Sequence, residues 1–221
     1  MPKPLVIIGA GEFAQIACEY FEHDSGREVV AFSVEQDFIA QPMLAGHPVL
    51  AYESLEVRYP PTEVELFVAI PASQLNRLRT RLYQDARGRG YRFATYVSSH
   101  AFVWRNAELG ENSFIFEGNV IQPFVRIGNN CILWSGNHVG HRTVVHDNVF
   151  VASHAVISGY CEIGAGSFVG VNSTFNDHVR VAADNVIGAG ALITRDTEPG
   201  RVYVGAPAHA VPGRSSLDVR L

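Results

Sequence analysis

The chain of 221 residues carries 17 basic and 22 acidic side chains, a net charge of −5 and 47% hydrophobic residues. That length holds one large or two small domains, and the composition is that of an ordinary globular protein. Both signs of charge are interspersed and no basic footprint exists, which excludes DNA and RNA as partners.

From the N-terminus, the apolar run Leu5–Ile8 is stopped by Gly9 and then Glu12. It is too short for a signal-peptide core or a membrane span, so a cytoplasmic protein without membrane contact is expected. Phe13, Ile16, Ala17, Tyr20 and Phe21 then recur at helical spacing, giving strand, tight turn and helix. Val29–Val34 reads as a second strand and Val64–Ile70 as a buried one. Leu75, Leu78, Leu82 and Ala86 mark a helix face that ends near Gly88 and Gly90, and Tyr91–Val97 alternates like a last strand. Strands alternating with helices imply a small parallel α/β domain, Rossmann-like, over residues 1–97.

The turn Gly9-Ala10-Gly11-Glu12-Phe13-Ala14 fits G-x-G-x-x-A between strand and helix, with Glu35 where a ribose-binding acid would sit. Taken alone this motif says dinucleotide. Fewer than about 100 residues of α/β structure are too few for a complete dinucleotide fold. The plain alternative is a glycine turn that only lets the helix pack on the sheet.

From Val103 onward the chain is an internal repeat. Steps of six pass through Leu109, Ile115, Ile121, Ile127, Leu133, Val139 and Val145, and continue without insertion to Ile193: sixteen positions, all apolar. Four residues after each of the first fifteen stands a small or medium side chain, Cys131 and Cys161 among them. A large apolar residue and then a small one in every hexad describe a parallel β-helix over residues 98–199. Three hexads form one triangular coil, so a little over five coils rise about 25 Å at strand-pair spacing. Residues 200–221 read as a C-terminal tail. Cys18, Cys131 and Cys161 lack CxxC spacing and read as buried thiols, with neither a disulfide framework nor a zinc cluster.

The motifs "LGENS", "IGNN", "EIGAGSFVGVNST", "VIGAGALITRD" and "VGAPA" resemble the hexapeptide-repeat acyltransferases. With "VIIGAGEFAQIA" in front, the chain is similar to the subgroup that acetylates nucleotide-linked amino sugars and to sialic acid O-acetyltransferases. The resemblance implies a left-handed β-helix, a homotrimer, and acetyl-CoA lying between neighbouring helices. It implies His141 as the catalytic base, and Gly159, Val171, Gly188, Ala189 and Gly190 along the acetyl-CoA. It also assigns the first domain to the nucleotide of a UDP- or TDP-linked acceptor sugar, with Gly9, Gly11, Glu12, Ser33, Ile70 and Pro71 as its contacts. No metal is implied. In the family a carboxylate usually follows the histidine and orients it; here Arg142 stands there.

Acyl transfer from a thioester to an amine needs a group that accepts the amine proton, and a neutral imidazole does so near neutral pH. A backbone N–H, that of Gly159 one coil above His141, is expected to hold the oxyanion. His138, His146, His154 and His178 read as solvated side chains, with His154 the second candidate for the base. Aromatic residues Phe114, Phe116, Phe124, Trp134 and Phe150 are expected on the outer faces, as the apolar patch that trimerisation covers. Three alternatives stay open: sugar O-acetylation; a γ-carbonic-anhydrase-like zinc enzyme, from the spacing of His141 and His146; and a non-catalytic nucleotide-sugar-binding scaffold, favoured by Arg142.

Overall fold

Leu5–Ile8 (β1) is buried along its whole length because it lies at the centre of a parallel sheet. The computed structural model describes residues 2–219. β1 is followed by helix Glu12–His23 (α1), strand Val29–Val34 (β2), the short strand Met43–Leu44 (β3), strand His47–Ala51 (β4) and helix Leu55–Arg58 (α2). Strand Glu65–Val68 (β5), helix Arg77–Gly88 (α3) and strand Arg92–Phe93 (β6) complete the unit. The strand order is β3-β4-β2-β1-β5-β6, with only β3 antiparallel. Alternation along β1 sends Leu5 and Ile7 to one core with Phe13, Ala17 and Phe21 of α1. Val6 and Ile8 face the opposite core with Leu82, Tyr83 and Ala86 of α3.

The stretch Tyr91–Val97, expected as one strand, is divided. Arg92–Phe93 pairs with β5, whereas Tyr96–Val97 pairs with Phe114–Ile115 and opens the repeat domain. The hexad period thus begins one step earlier than Val103, at Val97. From there seventeen two-residue strands follow at intervals of six up to Leu192–Ile193, and all but the last three pair in parallel with the strand eighteen residues on. The large apolar residues from Ile115 to Ile193 form one buried column. The small beat closes the corners: Ser113, Thr143 and Ser167 hydroxyls donate to the carbonyls of Gly128, Ser158 and Ala182. The Cys131 and Cys161 thiols do the same toward His146 and Asn176. Instead of trailing as a tail, Arg201–Gly205 adds to Val186–Ile187 and turns back as the antiparallel strand Ala208–Ser215.

Each corner needs a left-handed residue three positions after the apolar one. Fourteen successive corners, from Asn112 to Gly190, have φ between 52° and 76°. Glycine and asparagine adopt this conformation at little cost. The bulky occupants Phe124, Arg142, His154, Tyr160 and His178 do not, and four of these five stack along a single edge.

The first residue of each two-residue strand points outward, which gives the prism three different faces. One presents Tyr96, Phe114, Ile132, Phe150, Phe168 and Val186 and is covered by the α/β domain. A second carries Glu108, Arg126, Glu162 and Arg180. The third carries Phe102, Val120, His138, Val156, Thr174 and Leu192. Most of the expected free aromatics therefore lie elsewhere. Phe114, Phe116 and Phe150 are buried, and Trp134 is half-buried, packed with Phe13, Tyr20 and Phe21 of α1. Phe116 stacks on Trp134 at 4.4 Å. Of the five, only Phe124 is exposed, at 50%. The other four bind the two domains together.

Arg79 of α3 strengthens this junction. It is 0% exposed, and its guanidinium donates to the carbonyls of Ile70 and Pro71 and to those of Asn130 and Asn148 in the β-helix. Burial pulls its pKa down to about 10.

Candidate active site at two edges of the prism

His141 stands at the corner between the apolar and the charged face, two residues after the buried Val139. What orients it comes from the coil below. Gln122 Oε1 accepts the His141 backbone N–H at 2.8 Å and lies 3.2 Å from Nδ1. A backbone N–H can only donate, so the Gln122 atom is its oxygen and Nδ1 must carry a proton toward it. Nε2 is left with its lone pair as the proton acceptor. Above the ring lies Gly159, where a Cβ would come within 2.6 Å of Cε1. Tyr160 packs edge-on at 5.1 Å.

Arg142 does not take the place of the missing carboxylate. Its guanidinium lies over the Phe124 ring at 4.4 Å, pointing along the edge and away from the imidazole. One coil further, Tyr160 stacks on His178 at 4.8 Å. The oxyanion role expected of the Gly159 N–H is also corrected. That N–H donates to Asp177 Oδ1 at 2.8 Å, so what Gly159 supplies is room for the ring.

The remaining histidines are dispersed. His146 Nε2 meets Glu162 Oε1 at 2.7 Å on the charged side, one corner beyond His141, so the pair spaced for a shared ion does not converge within the chain. His154 lies over Gly136 on a third corner. Among the described residues, the group of three potential metal ligands that does converge is Cys18, Glu22 and His47, in the α/β domain.

The nucleotide contacts expected from the sequence gather at the C-terminal ends of β1, β2 and β5, where open α/β sheets hold their ligands. Gly9, Ser33 and Ile70 line a cavity of about 530 Å³ with Glu35, Phe38, Gln74, Leu78 and Arg81. Gly11, Glu12, Ile70 and Pro71 line a second cleft that reaches Trp134 on the β-helix. The two glycines differ in kind. Gly9 has φ +126° and its Cβ would lie 2.8 Å from the Ala69 carbonyl, so the fold itself requires it. Gly11 caps α1 with no side-chain hydrogen bond, and a Cβ there would meet nothing within 4 Å. The fold makes no use of that space, and α1 leaves its first N–H groups toward it. Ser33 Oγ, 0% exposed, has no hydrogen-bond partner in the chain.

The residues expected along acetyl-CoA do not meet in one chain. Gly159 shares the edge of His141, whereas Val171, Gly188, Ala189 and Gly190 occupy the corner on the other side of the apolar face. The cleft lined by Gly11, Glu12, Ile70 and Pro71, in turn, belongs to the covered face, opposite the edge that bears His141.

By repeat and architecture the chain is a hexapeptide-repeat β-helix with an α/β domain in front. The bacterial transferase hexapeptide pattern (six repeats) matches residues 106–141. The fold is similar to that of perosamine N-acetyltransferase from Caulobacter crescentus in complex with CoA and GDP-perosamine. The identity there is 27%, with 94% of this chain and 97% of that one covered and a TM-score of 0.83. The acetyltransferase domain of PglB from Neisseria gonorrhoeae shares the fold at 24% identity, 95% and 100% coverage and a TM-score of 0.85. WeeI from Acinetobacter baumannii does so at 21% identity, 94% and 99% coverage and a TM-score of 0.80. No curated protein matches the chain.

Proposed function

We propose that the protein is an acetyl-CoA-dependent N-acetyltransferase acting on the amino group of a nucleotide-linked amino-deoxysugar. The observation that carries this reading is the Gln122–His141 pair, an imidazole fixed in the tautomer that accepts a proton at Nε2, on an exposed edge. The Caulobacter enzyme, similar over nearly the whole of both chains, supports the choice of thioester donor and sugar amine acceptor.

In this mechanism the sugar amine attacks the thioester carbonyl carbon while His141 Nε2 takes the proton that the new C–N bond releases. The tetrahedral adduct collapses by breaking the C–S bond. The leaving thiolate recovers the proton from the imidazolium, so amide and CoA thiol depart and the histidine is neutral again. Gly9, Gly11 and Glu12 with the N-terminus of α1 hold the diphosphate, Ser33 and Ile70 line the nucleoside side, and Pro71 lines the cleft on the sugar side. No residue of the site is assigned to a metal, and acetyl-CoA as donor places the reaction in the cytoplasm. Among the described residues no helix is long and apolar enough to cross a membrane.

The acceptor cleft and His141 lie on opposite sides of one prism, and the acetyl-CoA contacts on two of its edges, so a working site needs a neighbouring copy. A homotrimer built on the apolar face supplies it. Exposed Phe102, Phe124, Val156, Tyr160 and Val171 on and beside that face support this assembly.

The test is CoA release from acetyl-CoA with a panel of nucleotide-linked amino sugars, with the product linkage assayed for base lability. Turnover yielding a base-stable amide is expected. An ester product would make the protein an O-acetyltransferase, and absence of turnover with every acceptor would leave a binding scaffold.

A further inference from the structure

Resting on that nucleotide-sugar reading, we infer that the acceptor's base is guanine, read by Glu35 and Arg81. Glu35 follows β2 and Arg81 lies on α3, 46 residues apart in sequence, and both line the 530 Å³ cavity at the strand ends. The two face each other as a bidentate fork. Arg81 Nη1 and Nη2 lie 3.0 Å from Glu35 Oε1 and Oε2 respectively. The carboxylate thus presents two parallel acceptor positions to a pair of coplanar N–H donors. The guanine edge offers such a pair, N1–H beside the 2-amino group, with the O6 acceptor next in line.

Complementarity along the edge decides among the bases. Guanine reads acceptor, donor, donor: Glu35 takes the two donors and the displaced Arg81 takes O6. Uracil and thymine read acceptor, donor, acceptor, so a carboxylate oxygen would face a carbonyl oxygen. Adenine offers one amino donor beside a ring acceptor, and cytosine one donor and two acceptors. Opening the ion pair costs little, because both side chains are partly in water and solvent screens such pairs. Phe38, 71% exposed on the turn after β2, stands at the mouth of the same cavity and gives the purine a ring to stack on. The unpartnered Ser33 hydroxyl on the cavity wall offers a further hydrogen bond. The cavity shares Ile70 with the cleft that reaches Trp134, so a diphosphate sugar can run from one to the other past Gly11.

The experiment is calorimetric titration of the full-length protein with GDP, inosine diphosphate, 2′-deoxy-GDP, UDP, dTDP and ADP. Inosine diphosphate differs from GDP only by lacking the 2-amino group. GDP is expected to bind about ten- to a hundredfold more tightly than inosine diphosphate, the loss that goes with one hydrogen bond to a charged group. In Glu35→Gln the GDP affinity is expected to fall to that of inosine diphosphate, with thermal unfolding unchanged. Equal affinity for GDP and inosine diphosphate would overturn the assignment. So would tighter binding of UDP, dTDP or ADP, or a Glu35→Gln loss that is seen with GDP and vanishes with 2′-deoxy-GDP, which would put Glu35 on the ribose. Each of these leaves the proposed acetyl transfer standing. Binding of none of the six would remove the nucleotide acceptor itself.

Discussion

Substituting Gly159 by alanine tests the geometry of the proposed base without touching its chemistry. The new Cβ would lie 2.6 Å from His141 Cε1 and 3.0 Å from each ring nitrogen. Carbon atoms in contact sit about 3.5–4.0 Å apart, so the imidazole must retreat by about 1 Å. Gln122 lies in the coil below, so that motion drives the ring toward it and spoils the geometry of the 3.2 Å Nδ1 contact. Displacement of a positioned group by 1 Å costs about 10²-fold in rate, or about 2.7 kcal/mol of barrier. Gly159 is not among the left-handed glycines, so alanine adds no backbone strain, and its N–H keeps the bond to Asp177. CoA release followed with a thiol-reactive dye is expected to show kcat about a hundredfold lower. KM for the acceptor and the melting temperature should stay close to those of the parent protein. A folded Gly159→Ala protein with kcat within about threefold of the parent would refute the role given to the ring, since such a loss is under 1 kcal/mol.

His141→Ala should lower kcat by about 10²–10⁴-fold with oligomer size by light scattering unchanged. Gln122→Glu puts a carboxylate beside the imidazole and favours its charged form, so the acidic limb of the kcat/KM profile should move up by about one pH unit or more. The Ser99 and Tyr96 hydroxyls hold the Asp24 carboxyl down at about 2, from an ordinary value of 3.8. This contribution to stability is complete above the unfolded value and is lost as pH falls through the folded one. Thermal melts between pH 5 and pH 2 should therefore fall less steeply in Asp24→Asn, by the usual linkage. Burial pushes the Cys18 and Cys131 thiols up to about 12 and raises Cys161 as well, so Ellman's reagent should find no reactive thiol until the protein is denatured.

The sequence by itself determined the β-helix, because its core demand is local and repeated: one large apolar residue and one small one per hexad, sixteen times from Val103 to Ile193. It also determined the strand–glycine turn–helix that opens the chain, while His141, two residues past a buried position, was pointed to by the resemblance that the repeat motifs carry. Only the tertiary structure decided what touches that histidine. In a β-helix lateral neighbours lie about eighteen residues apart, so the orienting group is Gln122 in the coil below, whereas the residue next in sequence, Arg142, turns away onto Phe124. Outward positions answer to no core period, and their partners depend on what docks against them. Phe114 reads as free surface until α1 covers it, Phe150 until Arg79 of α3 lies over it, and the Gly159 N–H as an open donor until Asp177 reaches it. The pairing of Glu35 with Arg81 has the same origin: a strand end and a helix meet only once β2 and α3 have packed on β1 and β5, and no spacing in the chain announces a contact made by the sheet order.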